Sequence, residues 1–405
     1  MMNLMTGDQL LIKKINKSIV LQLLRDKSPL SRADISKLSG LNKATVSSLV
    51  QELIMEQLVY EIGEGQSSGG RKPVMLFYNH LAGFSIGIDL GVKDILAVLT
   101  DLQGNIIYEH DISLNQADPE YVLEQLKVVI QLLIGKAPSS PYGVVGIGVG
   151  VPGIVDKEGT ILFAPNLGWK NIDLRTPLFE DFQVPIIVEN EANSGAYGEK
   201  LYGAGKNSEH LIYISFGSGV GTGVMIDNKL FRGAAGFSGE MGHFTIEANG
   251  KKCSCGNRGC WELYTSEIAL LEQARHLQIV ENQGFEGQPS LTSLSDITTL
   301  KRAAEQGNRE VIQLFNRVGE YIGIGFVNLI NMFNPEQLIL GNRYATLEKW
   351  LEQPIKRILE QRLQSYAYAN VQISFSRLEQ RSAVLGAAAF ATAHFSDQHK
   401  ATIQA

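Results

Sequence analysis

The sequence predicts an α/β protein with two similar lobes, preceded by a small winged helix-turn-helix domain. Two helical segments near the N-terminus are separated by Ser39-Gly40-Leu41 and followed by two short strands. From about residue 84 onward, a run of strands followed by helices occurs twice, with glycine-rich turns at corresponding places. The 405 residues, 44% of them hydrophobic, suffice for two or three well-packed domains.

Charge is distributed unevenly along the chain. The net charge is −6, but residues 1–80 carry ten basic and seven acidic side chains, so they are mildly basic on an acidic body. This pattern indicates that only the N-terminal part contacts an acidic partner. No run of about 18 apolar residues and no secretion signal are present, so we expect a cytoplasmic protein without a membrane span.

The N-terminal domain is predicted to hold three helices. The first covers residues 9–26. Ser31 and Asp34 form a capping box that opens a short second helix, and Asn42 can cap the third, which runs to about Gln57. The second helix of a helix-turn-helix pair lies in the major groove with its N-terminal residues at the bases. The candidates for DNA contacts are therefore the outer residues at its start: Lys43, Thr45, Ser47 and Ser48.

A glycine-rich loop after these helices is predicted to be a wing. It separates strands at 59–62 and 74–77 and contains Arg71 and Lys72. Cations in such a loop suit DNA phosphates or the minor groove. A plain helical hairpin with a solvated loop is the alternative, but helices and wing together favour a winged helix-turn-helix.

The body is predicted to divide into lobes at 81–195 and 196–405, after the N-terminal domain at 1–80. The last helix is a candidate for packing back on the first lobe, and residues 281–296 lack periodicity, which predicts an exposed loop. The expected strands are 84–91, 95–101, 105–111, 143–150, 184–189, 210–216, 221–227, 337–340 and 371–375. The expected helices are 119–133, 191–200, 262–275, 308–333, 347–363 and 383–395.

All three cysteines of the chain, Cys253, Cys255 and Cys260, lie in one short stretch, and His243 precedes them by ten residues. Three thiolates and one imidazole are a ligand set for structural zinc. The alternatives are buried free cysteines, or a disulfide, which would leave one thiol over. Glu240 and Glu262 flank the set and are not needed to complete a zinc shell.

The same stretch, Gly-Glu-x-Gly-His followed by Cys-x-Cys-Gly-x-x-Gly-Cys-x-Glu, resembles the sugar and zinc loop of the ROK family. That family groups repressors, open reading frames and sugar kinases. The resemblance implies an actin-like, or ribonuclease-H-like, fold. It also implies that His243 holds Zn²⁺ through one ring nitrogen and faces a sugar with the other, while Glu240 and Glu262 accept hydrogen bonds from sugar hydroxyls.

Other segments extend the resemblance over nearly the whole chain. Pro165-Asn166 resembles the family's sugar loop, and 189–193, Glu-Asn-Glu-Ala-Asn, resembles Asn-Asp-Ala-Asn, whose aspartate is the base of the kinases. The wing and the zinc loop resemble most those of xylose-responsive repressors from low-GC Gram-positive bacteria. The implied sugar-binding set is Asn166, Asn190, Glu191, Glu240, His243 and Glu262.

The motifs that the kinases use to cradle phosphates are altered. The kinases carry Asp-x-Gly-Gly-Thr-Lys, whereas 89–94 read Asp-Leu-Gly-Val-Lys-Asp here, and Asn342 replaces the second glycine of a later Gly-Gly pair. Val92 blocks close backbone approach and Asp94 adds a negative charge. We therefore expect no catalytic residues and no enzyme activity. A ROK-type sugar kinase with a fused DNA-binding domain is the alternative, and a constitutive DNA-binding or partner-binding protein with a vestigial sugar cleft is a third hypothesis.

The sequence therefore predicts a repressor that binds operator DNA without sugar and is released by D-xylose, with glucose as a candidate competing ligand. Operators with two-fold symmetry bind dimers, so we expect a homodimer or a higher homo-oligomer. Zn²⁺ is the expected cofactor, in a structural role.

Overall fold

The N-terminal head packs three helices on a small antiparallel sheet. The computed structural model describes residues 9–64, 73–276 and 296–398. The head strands lie in the order β1-β3-β2. Its elements are α1 (Gln9–Lys27), β1 (Leu30–Ser31), α2 (Arg32–Ser39), α3 (Lys43–Met55), β2 (Val59–Glu64) and β3 (Val74–Tyr78).

Capping residues fix the helix-turn-helix. The Ser31 hydroxyl accepts from the Asp34 amide and the Asp34 carboxylate accepts from the Ser31 amide, so the predicted capping box is confirmed. Gly40 ends α2 with a φ of 72°, and the Asn42 side chain caps α3 by accepting from the Thr45 amide. Helix α3 ends at Met55, two residues earlier than predicted, because Gln57 takes a left-handed φ of 57°.

The first lobe is built on a five-stranded sheet in the order β11-β7-β4-β5-β6. The β4–β6 meander is antiparallel, while β7 and β11 add in parallel. Its elements are β4 (Phe84–Leu90), β5 (Asp94–Asp101), β6 (Ile106–Ser113), α4 (Pro119–Lys136), β7 (Val144–Val151), β8 (Ile154–Val155), β9 (Ile161–Ala164), β10 (Trp169–Ile172), α5 (Arg175–Phe182), β11 (Ile186–Asn190) and α6 (Glu191–Tyr202).

The second lobe repeats this arrangement, with a sheet in the order β16-β15-β12-β13-β14. Again a three-stranded antiparallel meander is extended by two parallel strands, as the repeated sequence pattern predicts. Its elements are β12 (Leu211–Phe216), β13 (Val220–Ile226), β14 (Lys229–Leu230), α7 (Glu262–Thr265), α8 (Glu267–His276), α9 (Ile297–Glu305), α10 (Arg309–Phe333), β15 (Gln337–Gly341), α11 (Glu348–Arg362), α12 (Ser365–Ala369), β16 (Gln372–Phe375) and α13 (Arg381–Gln398).

The lobes exchange one helix each. Helix α6 follows β11 of the first lobe but packs on β12 and β13 of the second, whereas α13 follows β16 and packs on β4 and β7 of the first. The two helices cross at Gly198 and Gly386. A Cβ on Gly198 would lie 2.1 Å from the Ser382 carbonyl oxygen, so only glycine permits this approach. The boundary predicted between residues 195 and 196 falls inside α6, which therefore belongs to both lobes.

Several elements differ from the prediction. Strands β8–β10 span two to four residues each and were not predicted, because such short strands carry too little alternation. The helix predicted at 262–275 is divided into α7 and α8 by Ser266, which is extended and caps α8 through its hydroxyl. The predicted loop at 281–296 lies outside the described residues except for Asp296, which caps the unpredicted α9. In the described ranges, no helix is long and apolar enough to cross a membrane.

Candidate functional site

The His243 and cysteine side chains converge as a metal-binding set. One ligand atom from each of His243, Cys253, Cys255 and Cys260 lies within 4.8 Å of all the others. The His243 Nδ1 lies 3.7 Å from the Cys253 Sγ, and the Cys255 Sγ lies 3.7 Å from the Cys260 Sγ. Tetrahedral zinc with bonds of about 2.3 Å to sulfur separates two sulfurs by about 3.8 Å, so the spacing fits this ion. It is far too long for a disulfide.

Tight turns and one tryptophan hold this loop in place. Gly259 has a φ of 67°, and a Cβ there would lie 1.7 Å from the Glu247 carbonyl oxygen. Trp261 follows the last cysteine and is fully buried, stacked on Phe244. Its indole nitrogen donates to the Tyr321 carbonyl on α10 at 2.9 Å. The loop is therefore attached to the longest helix of the second lobe.

Glu262 lies between the cysteine cluster and the surface where the two lobes face each other, near Gly219 of the second lobe and Asn166 of the first. This surface is called the inter-lobe face. The Glu262 Oε1 is 3.2 Å from the His243 Nδ1 and accepts from the Cys253 thiol at 3.3 Å. The Glu262 Oε2 faces Gly219. A Cβ added to Gly219 would lie 3.1 Å from this oxygen and 3.6 Å from the Asn166 amide nitrogen. Glu262 and Asn166, 96 positions apart in the sequence, thus converge on one small space beside Gly219.

Glu240 begins the turn that carries His243. Solvent reaches its side chain, yet the surrounding protein desolvates the carboxyl and raises its pKa, an effect that the nearby Glu262 reinforces and His243 opposes. Two carboxylates and one imidazole thus lie on this side of the inter-lobe face.

Glu191 lies at the start of α6, with its Oε2 near Gly221. Its Oε1 accepts from the Ser215 hydroxyl of β12 at 2.8 Å, which joins the two lobes. Desolvation raises the pKa of the Glu191 carboxyl to about 7, and the Ser215 hydrogen bond opposes this shift. The pKa of the neighbouring Asp89 lies well above its usual range, mainly through burial and also through Glu191. These carboxyls therefore hold protons more tightly than ordinary surface acids.

Asn190 has a structural role that sequence reasoning missed. Its Oδ1 caps α6 by accepting from the amides of Ala192 and Asn193, and its Nδ2 donates to the Gly153 carbonyl at 2.9 Å. One amide hydrogen is left for any ligand. A side-chain cap directly before a predicted helix was the signal that could have shown this role.

The DNA-facing candidates are distributed as follows. Lys43, Ser47 and Ser48 are exposed on α3, and Thr45 is half-buried. Arg71 and Lys72 lie outside the described residues. The buried residues of α3 are Val46, Leu49, Val50 and Leu53, which leave the exposed side chains on the opposite face.

The head and the first lobe share a hydrophobic core. Leu102, Val145 and Phe395 belong to the same buried cluster as the head helices. The Tyr142 hydroxyl donates to the Glu56 carbonyl at the end of α3 at 2.9 Å, and its ring meets Phe395 of α13 edge-on at 5.0 Å. Sequence reasoning did not find this connection, because the residues involved are far apart in the chain.

Comparisons with known proteins agree with this architecture. The model of the ROK family matches residues 85–394, and that of the IclR helix-turn-helix domain matches residues 19–63. The chain is 45% identical over 391 residues to the "Xylose repressor" of Bacillus subtilis (strain 168), covering 96% of this chain and 98% of that protein.

Solved structures extend the comparison. A ROK family transcriptional regulator, described as a homolog of the E. coli MLC protein, matches with a TM-score of 0.80 at 28% identity and covers 96% of this chain and 98% of its own. A ROK family glucokinase from Streptomyces griseus, solved with glucose and AMPPNP, has a TM-score of 0.68 at 27% identity and covers 76% of this chain and 99% of its own. The regulator thus matches nearly the whole chain, head included, and the chain groups with the regulators rather than with the enzymes. The chain belongs to the ROK family.

Proposed function

We propose that the protein is a sugar-responsive transcriptional repressor of xylose-utilisation genes, which binds its operator without sugar and is released by D-xylose. The observation that carries the proposal is the continuous core that joins a helix-turn-helix head to a body in which Glu262 and Asn166 converge beside Gly219. The repressor named for xylose in Bacillus subtilis, similar over nearly the whole chain, supports the choice of sugar.

The inter-lobe side chains suit a neutral polyol. Carboxylates of Glu240 and Glu262 accept hydrogen bonds from hydroxyl groups, and the Asn166 amide can both donate and accept. Glu191 presents a further carboxyl from the other side. A xylose molecule placed between them would hydrogen-bond to both lobes, and its binding would favour one relative placement of the lobes.

Zinc would hold the second-lobe half of this site. His243, Cys253, Cys255 and Cys260 fill a tetrahedral shell, so the ion would order the loop rather than activate water. His243 would keep one ring nitrogen for the sugar, and the Glu262 Oε1 lies 3.2 Å from the Nδ1 of the same ring, on the side of Cys253. Loss of the metal is therefore expected to weaken sugar binding as well as stability.

The head would contact DNA through the exposed start of α3. Lys43, Ser47 and Ser48 are short or flexible polar side chains on the face opposite the core, which suits bases and phosphates of a major groove. We propose that Thr45 contributes there too and that Arg71 and Lys72 contact the adjacent backbone or minor groove. A homodimer or a higher homo-oligomer would present two heads to a two-fold operator.

The exchanged helices supply a physical connection between sugar and DNA. Helix α6 begins at Glu191 and crosses α13, and α13 reaches the head core with Phe395. A shift of the lobes would therefore move the surface on which α3 rests. The two half-sites of an operator lie about one turn of the DNA helix apart, so they tolerate little change in the relative placement of the two heads of a dimer.

A kinase with a fused head is the alternative, and the departures at Val92, Asp94 and Asn342 argue against it. No phosphorylation of xylose or glucose by ATP is expected in a coupled assay. Sugar phosphate formed by the wild type and not by Glu191→Ala would revive the kinase reading.

The experiment is a titration of labelled operator DNA with the full-length protein, with and without saturating D-xylose or glucose. We expect xylose to weaken operator binding by about 5- to 150-fold, a typical coupling, and operator to weaken xylose binding by the same factor. Glu262→Ala should bind operator normally and fail to respond to xylose, whereas Ser47→Ala tests the DNA side alone. Equal operator affinity with and without xylose over a range of salt would rule out the switch.

A further inference from the structure

Asp94, which departs from the kinase motif, pairs with an arginine of the other lobe. Arg343 follows β15 of the second lobe, and Asp94 begins β5 of the first. The Arg343 Nη2 lies 3.2 Å from the Asp94 Oδ2, and its Nη1 donates to the Glu267 Oε1 at 3.2 Å. One guanidinium thus links a first-lobe carboxylate to a second-lobe carboxylate, and Glu267, which is buried, fixes its position.

The turn before β5 is shaped to present this carboxylate. The Gly91 amide donates to the Asp94 carbonyl at 2.9 Å. A Cβ on Gly91 would lie 2.1 Å from the Asp94 Oδ1, so a larger residue there would displace the Asp94 carboxylate. The negative charge that argues against phosphate binding is therefore directed into an inter-lobe ion pair.

A hydrogen-bonded chain leads from Arg343 to Glu191. The Asn342 Oδ1 accepts from the Arg343 amide at 2.7 Å, and its Nδ2 donates to the Ser215 hydroxyl at 3.1 Å. The Ser215 hydroxyl in turn donates to Glu191. Asn342 holds a left-handed φ of 58°, which asparagine tolerates better than most residues. The second inter-lobe contact, between Ser215 and Glu191, is thus connected to the ion pair.

We propose that Asp94, Arg343 and Glu267 form an inter-lobe clasp, which closes the part of the inter-lobe face where the family's kinases cradle phosphate and holds the lobes in the arrangement that binds sugar. This inference rests on the proposed sugar site, whose groups come from both lobes. A clasp that brings these groups together beforehand reduces the cost of ordering them around a ligand. Arg343 and Asp94 are therefore positioning residues and do not contact the sugar themselves.

The solvent exposure of the Asp94 and Arg343 side chains sets the expected effect of the clasp on xylose affinity. The side chains of Asp94 and Arg343 are 51% and 35% exposed, so solvent screens the pair. Exposed ion pairs contribute modestly, and the clasp is expected to change xylose affinity by about two- to fivefold. Because xylose is uncharged, a salt dependence of its binding would come from the protein, and about 1 M salt should abolish the contribution of the clasp.

The test is a double-mutant cycle in the full-length protein, with D-xylose affinity measured by calorimetry at low and high salt. At low salt, Asp94→Asn and Arg343→Gln should each weaken binding about two- to fivefold, and the double variant no more than either alone. At high salt, Asp94→Asn should bind like the wild type. Arg357→Gln is the matched control, because Arg357 pairs with Glu320 inside the second lobe at 2.7 Å.

Additive effects of the two substitutions, or an Asp94→Asn affinity equal to that of the wild type at low salt, would overturn the clasp. Thermal unfolding of the wild type, the two single variants and the double variant without sugar supplies a second cycle. If the wild type does not bind sugar either, the proposed function fails, and this cycle alone decides whether Asp94 and Arg343 are coupled across the lobes. Additivity there would also overturn the clasp.

Discussion

The crossing of α6 and α13 allows one substitution with a well-defined steric consequence. A Cβ added at Gly386 would lie 1.7 Å from the Ser194 carbonyl oxygen and 2.9 Å from the Gly198 amide nitrogen. Real Cβ atoms essentially never come closer than 3.0 Å to another atom, so Gly386→Ala must separate the helices by more than 1 Å. Neither neighbour can move away by rotating a side chain, because both are backbone atoms.

The expected cost follows from this geometry. Overpacking of a well-packed interior destabilises by about 1–3 kcal/mol, and a clash with backbone belongs at the upper end. Gly386→Ala should therefore lower the free energy of unfolding by about 3 kcal/mol. Gly135→Ala is the matched control, because this glycine is exposed on helix α4 and a Cβ there meets no atom within 4 Å. It should stabilise the protein by about 0.5–1 kcal/mol through its helix propensity.

Chemical unfolding followed by circular dichroism measures both variants, and operator binding with and without xylose measures the consequence for the switch. If the crossing carries the proposed coupling, Gly386→Ala should reduce the xylose effect on operator binding more than it changes sugar-free binding. A Gly386→Ala protein as stable as the wild type would refute the steric reasoning. Equal destabilisation by both alanines would also refute it.

Three further predictions concern the metal, the head contact and the titration of the inter-lobe acid. One zinc per chain should be found by metal analysis. Cys255→Ser should lose the zinc and Ser254→Ala should keep it, because Cys255 belongs to the ligand cluster and its neighbour Ser254 does not. Tyr142→Phe removes the hydrogen bond to Glu56 and should cost about 0.5–1.5 kcal/mol in unfolding, together with part of the xylose response of operator binding. The contribution of Glu191 to the free energy of unfolding should fall as the pH rises from about 4.5 to about 7, because folded Glu191 keeps a proton that the unfolded chain releases. The stability of the wild type relative to Glu191→Gln should therefore fall over this range.

Each of these predictions has a clear contrary outcome. Protein purified without chelators that contains no zinc would exclude the metal site. A Tyr142→Phe protein with unchanged stability and full xylose response would show that this head contact is dispensable. Identical pH profiles for the wild type and Glu191→Gln would show that the carboxyl titrates in its ordinary range.

Predictions made from contiguous segments agreed with the structure where local rules decide the outcome. The capping box at Ser31 and the turn at Gly40 depend on a few neighbouring residues, and the structure contains both. The cysteine cluster with His243 is also close in sequence, and its ligand atoms converge. The repeated order of strands emerged because each strand carries its own hydrophobic pattern. Such features depend on the spacing of residues close together in the chain, so a single sequence is enough to predict them.

The sequence by itself therefore determined the head, the repeated lobes and the clustering of His243 with the three cysteines. The sequence also made the last helix a candidate for packing on the first lobe. Only the tertiary structure decided that α6 packs on the second lobe, that Tyr142 reaches the end of α3, and that Arg343 pairs with Asp94, 249 positions away. The physical reason is that hydrophobic periodicity specifies which face of an element is buried but not which element covers it. Contacts between residues that are far apart in the sequence depend on how the helical and sheet layers pack on one another. That packing is determined by the hydrophobic core as a whole.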